Sequence, residues 1–599
     1  MKTFSRFLSK DDLSSGPTLL SGGHPAVWVV LDENENVVRV LKDKCAHLGA
    51  PVTPTQLGFM CHSHGWVYDQ LGLGDSDSQG HLEAVEFSYA DSVLELYFPD
   101  DFDILPEPTS SLTGAEELKF LSHASVLLKT PKVSMLIDPW LIGDTYWGSW
   151  AQFPNDSFNV DNLPIPTHVV ITHPHPDHFH PQTLKEFDRD VPLYFPKFPS
   201  QIIPQTLTKM GFKNLFPTDW EVPVVLPDGI SFAFLRPISL WEDSALLVRV
   251  KDWTWLNQND AGSPLRDDVV PQKLDLVTSS FDVGASGYPL TWGVGDLRAQ
   301  ALLKSQASAL VQTLRSTADK LRPRFFGPFA SYWRLNSKPG LKFQDKIPHN
   351  KIADIEAAFD GSCTEVLRTI PGSTLKIKTM QIEYDKALFQ KFETGRFDPS
   401  EVSEPKLRMS SSQISAGMKD WLEKLSTMSF VSSCEHIEFS VHIESHLQPL
   451  NQMFGIRGSS GPLRIEVRIP EWVAEVIQSG DPTATWHHFD IGYWCEWRRS
   501  PEVYAPGFIR LLRLGYVTNL AETSPPFGED WANVPIASLI ESGGPPLTAL
   551  LSRAGLPCSG CKLSDAETLA QALIIHNPRK QDVEILKAAV SIVRGNAEF

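Results

Sequence analysis

Six residues, His173-Pro174-His175-Pro176-Asp177-His178, constrain this chain more than any other stretch, because they set four metal-ligating side chains directly behind the apolar, strand-like Val169-Val170-Ile171-Thr172. A buried strand that runs straight into three imidazoles and a carboxylate reads as a metal site carried on a loop. The surroundings read as α/β: between about residues 118 and 379, strand-like segments such as 133–137, 167–172, 231–235 and 245–250 alternate with helical ones. The longest helical stretch places Leu303, Ala307, Leu310, Leu314, Ala318 and Leu321 at steps of three or four, which makes one buried stripe.

The H-x-H-x-D-H run after a strand resembles the metallo-β-lactamase superfamily, whose paired metals sit where loops leave the strands. That resemblance implies an αβ/βα sandwich in which His173 and His175 hold one metal and Asp177 and His178 the other. It also implies a bridging carboxylate on a later strand, for which Asp260, after Trp253-Thr254-Trp255-Leu256, is the candidate; an ordinary turn residue is the alternative. Asp138, after Met135-Leu136-Ile137, is similar to an early aspartate that supports the metal loop by hydrogen bonding. One expected ligand is missing. No histidine stands between His180 and His349, so the imidazole that hydrolases of the superfamily place ahead of the bridging aspartate has no counterpart. Glu242 and Asp243 fall in that interval, and a carboxylate there makes the site harder and more anionic, favouring iron over zinc; a plain surface loop is the other reading. His349 is the candidate for a histidine of the final loop, with simple exposure as its alternative.

A second constellation lies nearer the N-terminus. Cys45-Ala46-His47 and Cys61-His62-Ser63-His64 are C-x-H and C-x-x-H pairs separated by residues 48–60, within a stretch of short β-rich runs and turns over 25–100. Two thiolates can hold one iron and two neutral imidazoles the other, the ligand set of a Rieske [2Fe–2S] centre. Neutral donors raise the potential, so such a centre accepts an electron readily and passes it on. The C-x-x-H spacing selects His64 over His62. A zinc knuckle is the competing reading, and C-x-H in place of C-x-x-C, with Gly49 and Gly65 soon after the histidines, speaks against it.

A one-electron relay has no use beside a redox-inert zinc hydrolase. The two sites together therefore point to two iron ions in the second, and to an oxygenase in which two electrons and O2 yield a hydroxylated product and water. With both constellations on one chain, the sequence resembles the cytidine monophosphate-N-acetylneuraminic acid hydroxylase family, also through Leu121-Ser122-His123-Ala124, Asp138-Pro139-Trp140-Leu141, Gly284-Ala285-Ser286-Gly287-Tyr288-Pro289, Pro328-Phe329-Ala330-Ser331-Tyr332 and Asp490-Ile491-Gly492-Tyr493. The likeness spans about residues 25–515. It implies an O2-dependent monooxygenase acting on a small molecule, such as a nucleotide-sugar or N-acyl compound. It also implies that His123, Ser286 and Tyr332 lie near the metal pocket, as partners of bound oxygen or substrate or, on the plainer reading, as core and turn residues. Ser239-Leu240-Trp241-Glu242-Asp243 departs from the family's His-Pro-Glu-Met-Asp run. Two readings compete with the oxygenase: a dinuclear zinc metallohydrolase of phosphodiesters or amides with a regulatory Rieske domain, and a non-enzymatic redox adaptor.

At 599 residues the chain has room for several domains. We read 1–99 as an all-β Rieske domain, 100–117 as an acidic, proline-bearing linker, 118–394 as the metallo-β-lactamase-like domain and 395–413 as a second linker. An α+β accessory region over 414–515, a Pro/Gly-rich linker over 516–546 and a small helical unit over 547–599 complete the multidomain architecture. The last unit carries Cys558-Ser559-Gly560-Cys561 ahead of the capping box Ser564-Asp565-Ala566-Glu567 and resembles a small helical domain of unknown function; its thiols read as redox-active, metal-binding or structural. Lys and Arg number 53 against 72 Asp and Glu, a net charge of −19, which argues against a nucleic-acid binder or a polybasic membrane-surface protein. Seven scattered cysteines do not make a disulfide framework, no run of apolar residues is long enough to span a bilayer, and residues 1–16 do not read as a secretion signal, so a cytoplasmic location is expected. No G-x-G-x-x-G signature for a flavin or nicotinamide is present. Electrons are therefore expected from an external donor, such as a ferredoxin or cytochrome b5 with its reductase, docked on a local basic patch for which Arg498 and Arg499 are candidates. Oligomeric state is left open.

Overall fold

The computed structural model describes most of residues 104–501, parts of 2–98, and scattered positions between 530 and 590. Among the described residues of 2–98 the regular structure is entirely β: three antiparallel, three-stranded sheets, one of them built from Thr18–Leu20, Val27–Leu31 and Val37–Lys42. Alternation along Val27–Leu31 sends Val27 and Val29 into one small core with Val40, Leu94 and Leu96, and Trp28 and Val30 into another with Leu41, Phe59 and Tyr68. Asp43 links the sheets by accepting from Trp28 Nε1 at 3.0 Å and from the Val52 amide at 2.9 Å. Val52 pairs with Cys61 across the hairpin Val52–Thr55/Gly58–Cys61, so the chain enters at Val52 and leaves at Cys61 on the same end. Cys45, His47, His64 and the side chain of Cys61 lie outside the described residues.

Two mixed sheets form the centre of the molecule. The first has eight strands in the order Leu215–Thr218, Leu193–Pro196, His168–Val170, Ser134–Ile137, Ser125–Lys129, Glu117–Ser122, Ser373–Lys376, Gln381–Tyr384. The second has seven: Val224–Leu226, Ile230–Leu235, Ala245–Val250, Trp253–Asn259, Leu276–Ser280, Phe325–Phe329, Glu365–Val366. They pack face to face. Phe232, Phe234, Leu246 and Val248 join Leu128, Leu136 and Val170 between the sheets, while the alternate residues Ala233, Leu235, Ala245 and Leu247 face outward against Leu314 and Ala318 of the helix Asp296–Leu321. With helices on the outer face, these strands are buried on both sides and lose the apolar–polar alternation of a half-exposed strand. The helix buries Ala299, Leu303, Ala307, Leu314 and Ala318, with Leu310 and Leu321 partly covered.

Residues 411–500 form a third unit. Its sheet, in the order Leu450–Phe454, Ile437–Ile443, Leu463–Ile469, Glu496–Ser500, carries the helices Ser411–Thr427, Glu471–Gln478 and Trp486–Ile491. Ile437, Phe439, Val441 and Ile443 point into its core and their neighbours outward. This unit is hydrogen-bonded to loops of the central sandwich: Trp150 Nε1 donates to Ile491 O at 3.2 Å, Trp494 Nε1 to Tyr146 O at 2.8 Å and Tyr493 Oη to Gly284 O at 2.9 Å. Further on, Trp531, Ile536, Leu551, Leu569, Leu573 and Leu586 share a small core; Cys558 and Cys561 lie outside the described residues. No described helix is long and apolar enough to cross a membrane.

Candidate metal centre and its cavity

The strand His168–Val170 is parallel to both neighbours, Ser134–Ile137 and Leu193–Pro196, so its C-terminal end opens at the sheet edge where loops can converge. The ligand run begins there and is fastened at its root. Asp138 accepts from the Thr172 amide at 2.7 Å and from Thr172 Oγ1 at 2.6 Å, takes a 3.2 Å bond from Asn259 Nδ2, and lies 2.9 Å from His178 Nδ1. Ser244 Oγ adds a bond to Thr172 O at 2.6 Å. With Nδ1 tied to Asp138, the His178 ring turns its Nε2 inward.

Two groups of three side chains result, each with ligand atoms within 4.8 Å of one another: His173, His175 and Asp260, and His123, Asp177 and His178. Asp260 Oδ2 is also 3.4 Å from His178 Nε2, so this carboxylate reaches both groups. The donor set fits a pair of metal ions. His173 Nε2 and His178 Nε2 are buried and have no hydrogen-bond partner, an arrangement that costs free energy unless a cation occupies the space they face. Burial, followed by the neighbouring His178 and His175, holds the His173 ring well below its ordinary pKa, neutral and with a lone pair to offer. Burial opposes the charge on Asp177, but His178 and His123 outweigh it and keep this carboxyl well below the usual range. For His178 burial is likewise overcome, here by Asp177 and Asp138, which push the ring well above its ordinary value.

Both oxygens of Asp177 are gripped from the far side: Tyr146 Oη donates to Oδ1 at 2.6 Å and His123 Nε2 lies 3.0 Å from Oδ2. The Tyr146 phenol, buried and next to Asp177, is pushed well above its ordinary pKa and so stays a donor. Trp150 stacks on Trp333 at 3.9 Å and lies 4.8 Å from the Tyr146 ring, closing this side with aromatic surface.

A cavity of about 650 Å3 opens over the two groups, with His123, His175, Asp177, Asp243 and Asp260 on its wall. Ser286 is on that wall too, with its hydroxyl 3.4 Å from Tyr288 O. Tyr332 is not: its hydroxyl donates to Pro328 O at 3.0 Å inside the core. The adjacent acids Glu242 and Asp243 part company. Glu242 accepts from the Ser200 amide at 2.7 Å and from Ser200 Oγ, pinning the loop after Leu193–Pro196, whereas Asp243 Oδ1 sits 3.9 Å from His175 Nδ1. His349 is spent outside the ligand groups, with Nδ1 2.5 Å from Asp282 Oδ2 and Nε2 2.9 Å from Gln344 Nε2. The structure thus brings His123, His173, His175, Asp177, His178, Asp243 and Asp260 together, and does not bring Glu242, His349 or Tyr332 to them.

Three wall residues were not placed at the cavity from sequence, where Arg499 was a candidate for donor docking and Asp490 part of a family-like stretch. His487 Nε2 lies 3.0 Å from His175 Nε2, and Asp490 and Arg499 also face the cavity, all from the unit over 411–500. Asp490 Oδ1 accepts from Trp292 Nε1 at 3.0 Å, and burial raises this carboxyl to about 7 against the hydrogen bonds from Trp292, Trp497 and the Gly287 backbone. Gly287 permits this approach, since a Cβ there would fall 2.7 Å from the carboxylate. The signal was the pair His487-His488 set between Trp486 and Phe489: imidazoles in so apolar a run are buried and need partners.

Residues 7–84 match the Rieske [2Fe-2S] domain family and residues 117–234 the beta-lactamase superfamily domain. The chain is 27% identical over 339 residues to the cytidine monophosphate-N-acetylneuraminic acid hydroxylase of Danio rerio, an alignment covering 53% of this chain and 57% of the relative. It is 26% identical over 398 residues to the protein of the same name from Xenopus laevis, covering 62% and 67%. Among solved structures, CmlA, a diiron beta-hydroxylase from Streptomyces venezuelae, aligns with a TM-score of 0.30 at 17% identity, over 44% of this chain and 54% of that one, a likeness too loose to inform the site. The chain joins a Rieske [2Fe-2S] domain to a domain of the beta-lactamase superfamily.

Proposed function

We propose that the chain is a Rieske-coupled, dinuclear iron oxygenase that hydroxylates a small molecule in the cytoplasm. The observation that carries this reading is the presence, on one chain, of a Rieske domain and a buried centre in which the loop 173–178 supplies two side chains to each of two ligand groups, completed by His123 and Asp260. When bound, the cluster and the two irons supply one-electron transfer and the activation of O2. Cys45, His47, Cys61 and His64 are the residues that would hold the cluster. His173 and His175, with Asp243, would hold one iron, Asp177 and His178 the other with His123 beside them, and Asp260 would lie between.

The protein's own groups set the conditions of the reaction. Asp138 fixes the tautomer of His178, and Tyr146 holds Asp177 in place with a phenol that keeps its proton. Trp150 and Trp333 line the cavity with stacked apolar surface, and a carboxylate in place of a third imidazole suits iron better than zinc. Electrons come from outside, from a ferredoxin or cytochrome b5 with its reductase. The substrate belongs with the nucleotide-activated sugars named in the relatives, of which the chain spans little more than half the length in the Danio rerio case.

The test is a single turnover of reduced protein with cytidine monophosphate-N-acetylneuraminic acid and isotopically labelled O2. A product carrying one labelled oxygen supports the reading. Cleavage with oxygen taken from water supports the metallohydrolase instead.

A further inference from the structure

Along Glu496–Ser500 the side chains alternate: Trp497 is buried, Glu496 and Arg498 are exposed, and Arg499 returns to the inner face beside Trp497. A cation on the core side of a strand calls for a reason. Its guanidinium lies over two aromatic rings, 5.3 Å from the centroid of Tyr288 and 5.4 Å from that of Trp292, and it lines the cavity of the metal centre. Among the described residues it has no side-chain hydrogen bond or ion pair. Asp490, the nearby acid on the same wall, is engaged by Trp292, Trp497 and the Gly287 backbone. Five N–H donors are therefore held at a half-buried place by ring faces alone, with their hydrogen-bonding edge left for something else.

Arg298, in the first turn of Asp296–Leu321, lines the same cavity. Apart from histidines, these two arginines are the cationic side chains of a cavity otherwise lined with Asp177, Asp243, Asp260, Asp282 and Asp490. Guanidinium donors lining the cavity are where an anionic group of a bound molecule would be received.

We propose that Arg499 is the specificity-determining anchor for a carboxylate or phosphate group of the substrate, so that the unit over 411–500 reads the substrate while the sandwich reacts with it. This rests on the cavity being the substrate site. It also takes Arg499 away from donor docking and leaves Arg498 on the outer surface.

The test is calorimetric titration of the full chain, as purified, with phenyl phosphate and with benzoate, using phenol and benzamide as their neutral counterparts. The wild-type protein is expected to bind at least one anion tenfold or more tightly than its neutral counterpart, Arg499→Met to lose that preference, and Arg498→Met to keep it. Preference for phenyl phosphate alone assigns a phosphate on the substrate, and preference for benzoate alone a carboxylate. Arg499→Gln provides a milder variant should Arg499→Met fail to match the wild-type circular dichroism. No anion preference in the wild type, or a preference unchanged in both Arg499 variants, overturns the proposal. A preference lost in His175→Ala but retained in Arg499→Gln places the anion on the metals and overturns it equally. Binding is read without turnover, so a failed oxygenase assay leaves this result standing, and a failed anion test leaves the oxygenase reading intact.

Discussion

Asp138 and His178 meet at 2.9 Å, carboxylate oxygen to ring Nδ1, and the same carboxylate gathers Thr172 and Asn259 at the root of the ligand loop. The aspartate is buried and belongs to neither ligand group, so its work is to fix the orientation of a side chain that does. Replacing it with asparagine removes the charge that favours an Nδ1–H on His178. Asp138→Asn is expected to lower metal affinity about 10- to 100-fold. Iron retained against a graded chelator challenge reads this directly, and retention equal to the wild type counts against the orienting role.

Asp490 gives an unusual pH signature. Burial raises its carboxyl from 3.8 to about 7, so as pH climbs through that window the unfolded chain releases a proton that the folded chain keeps. Folding is progressively disfavoured, by at most about 4 kcal/mol once the pH passes the folded value. Asp490→Asn still accepts from Trp292 and carries no such penalty. Its melting temperature relative to wild type should rise between pH 4 and pH 8, and a constant difference would contradict the account.

Glu116 behaves in the opposite sense. Although burial works against its charge, Lys251 and Thr113 bond to it and lower its carboxyl from 4.5 to about 2. A depressed folded value contributes stability that is complete above the unfolded value and disappears as pH falls towards the folded one. Glu116→Gln should therefore cost about 2 kcal/mol near neutrality and almost nothing at pH 2. Paired melting curves across that range decide it, and a cost that persists at pH 2 points to lost packing instead.

Trp494 ties the unit over 411–500 to the cavity-lining Tyr146 through its 2.8 Å bond to Tyr146 O. Trp494→Phe keeps most of the ring and deletes the donor, at a cost of about 1 kcal/mol. Faster amide exchange should appear around residues 144–150, by about fivefold, with exchange in Ala245–Val250 unchanged. Uniformly faster exchange would mean that the whole fold had weakened and that the tie is not local.

The ligand loop was legible in the sequence because its four side chains fall within six residues and need no tertiary knowledge to group. The helix stripe from Leu303 to Leu321 was legible for a similar reason, since its period is local. His487, Asp490 and Arg499 were not, because they reach the cavity from about 300 residues beyond the ligand loop and only folding brings them there. Between Glu242 and Asp243 the sequence offers no choice. The two lie at a bend ahead of the strand Ala245–Val250, and it is the Ser200 contact that turns Glu242 away. The strands Ile230–Leu235 and Ala245–Val250, buried on both faces, gave a strand signal without saying which face meets the site.

The central claim is that one chain carries both an iron–sulfur relay and a pair of oxygen-activating irons, and a metal count on anaerobically purified protein tests it most directly. The account predicts about four irons per chain, with His64→Ala and His175→Ala each losing about two, and low-temperature EPR of the reduced protein showing a Rieske signal that only His64→Ala abolishes. About two irons with stoichiometric zinc, the zinc lost in His175→Ala, would contradict it and place a metallohydrolase behind the Rieske domain.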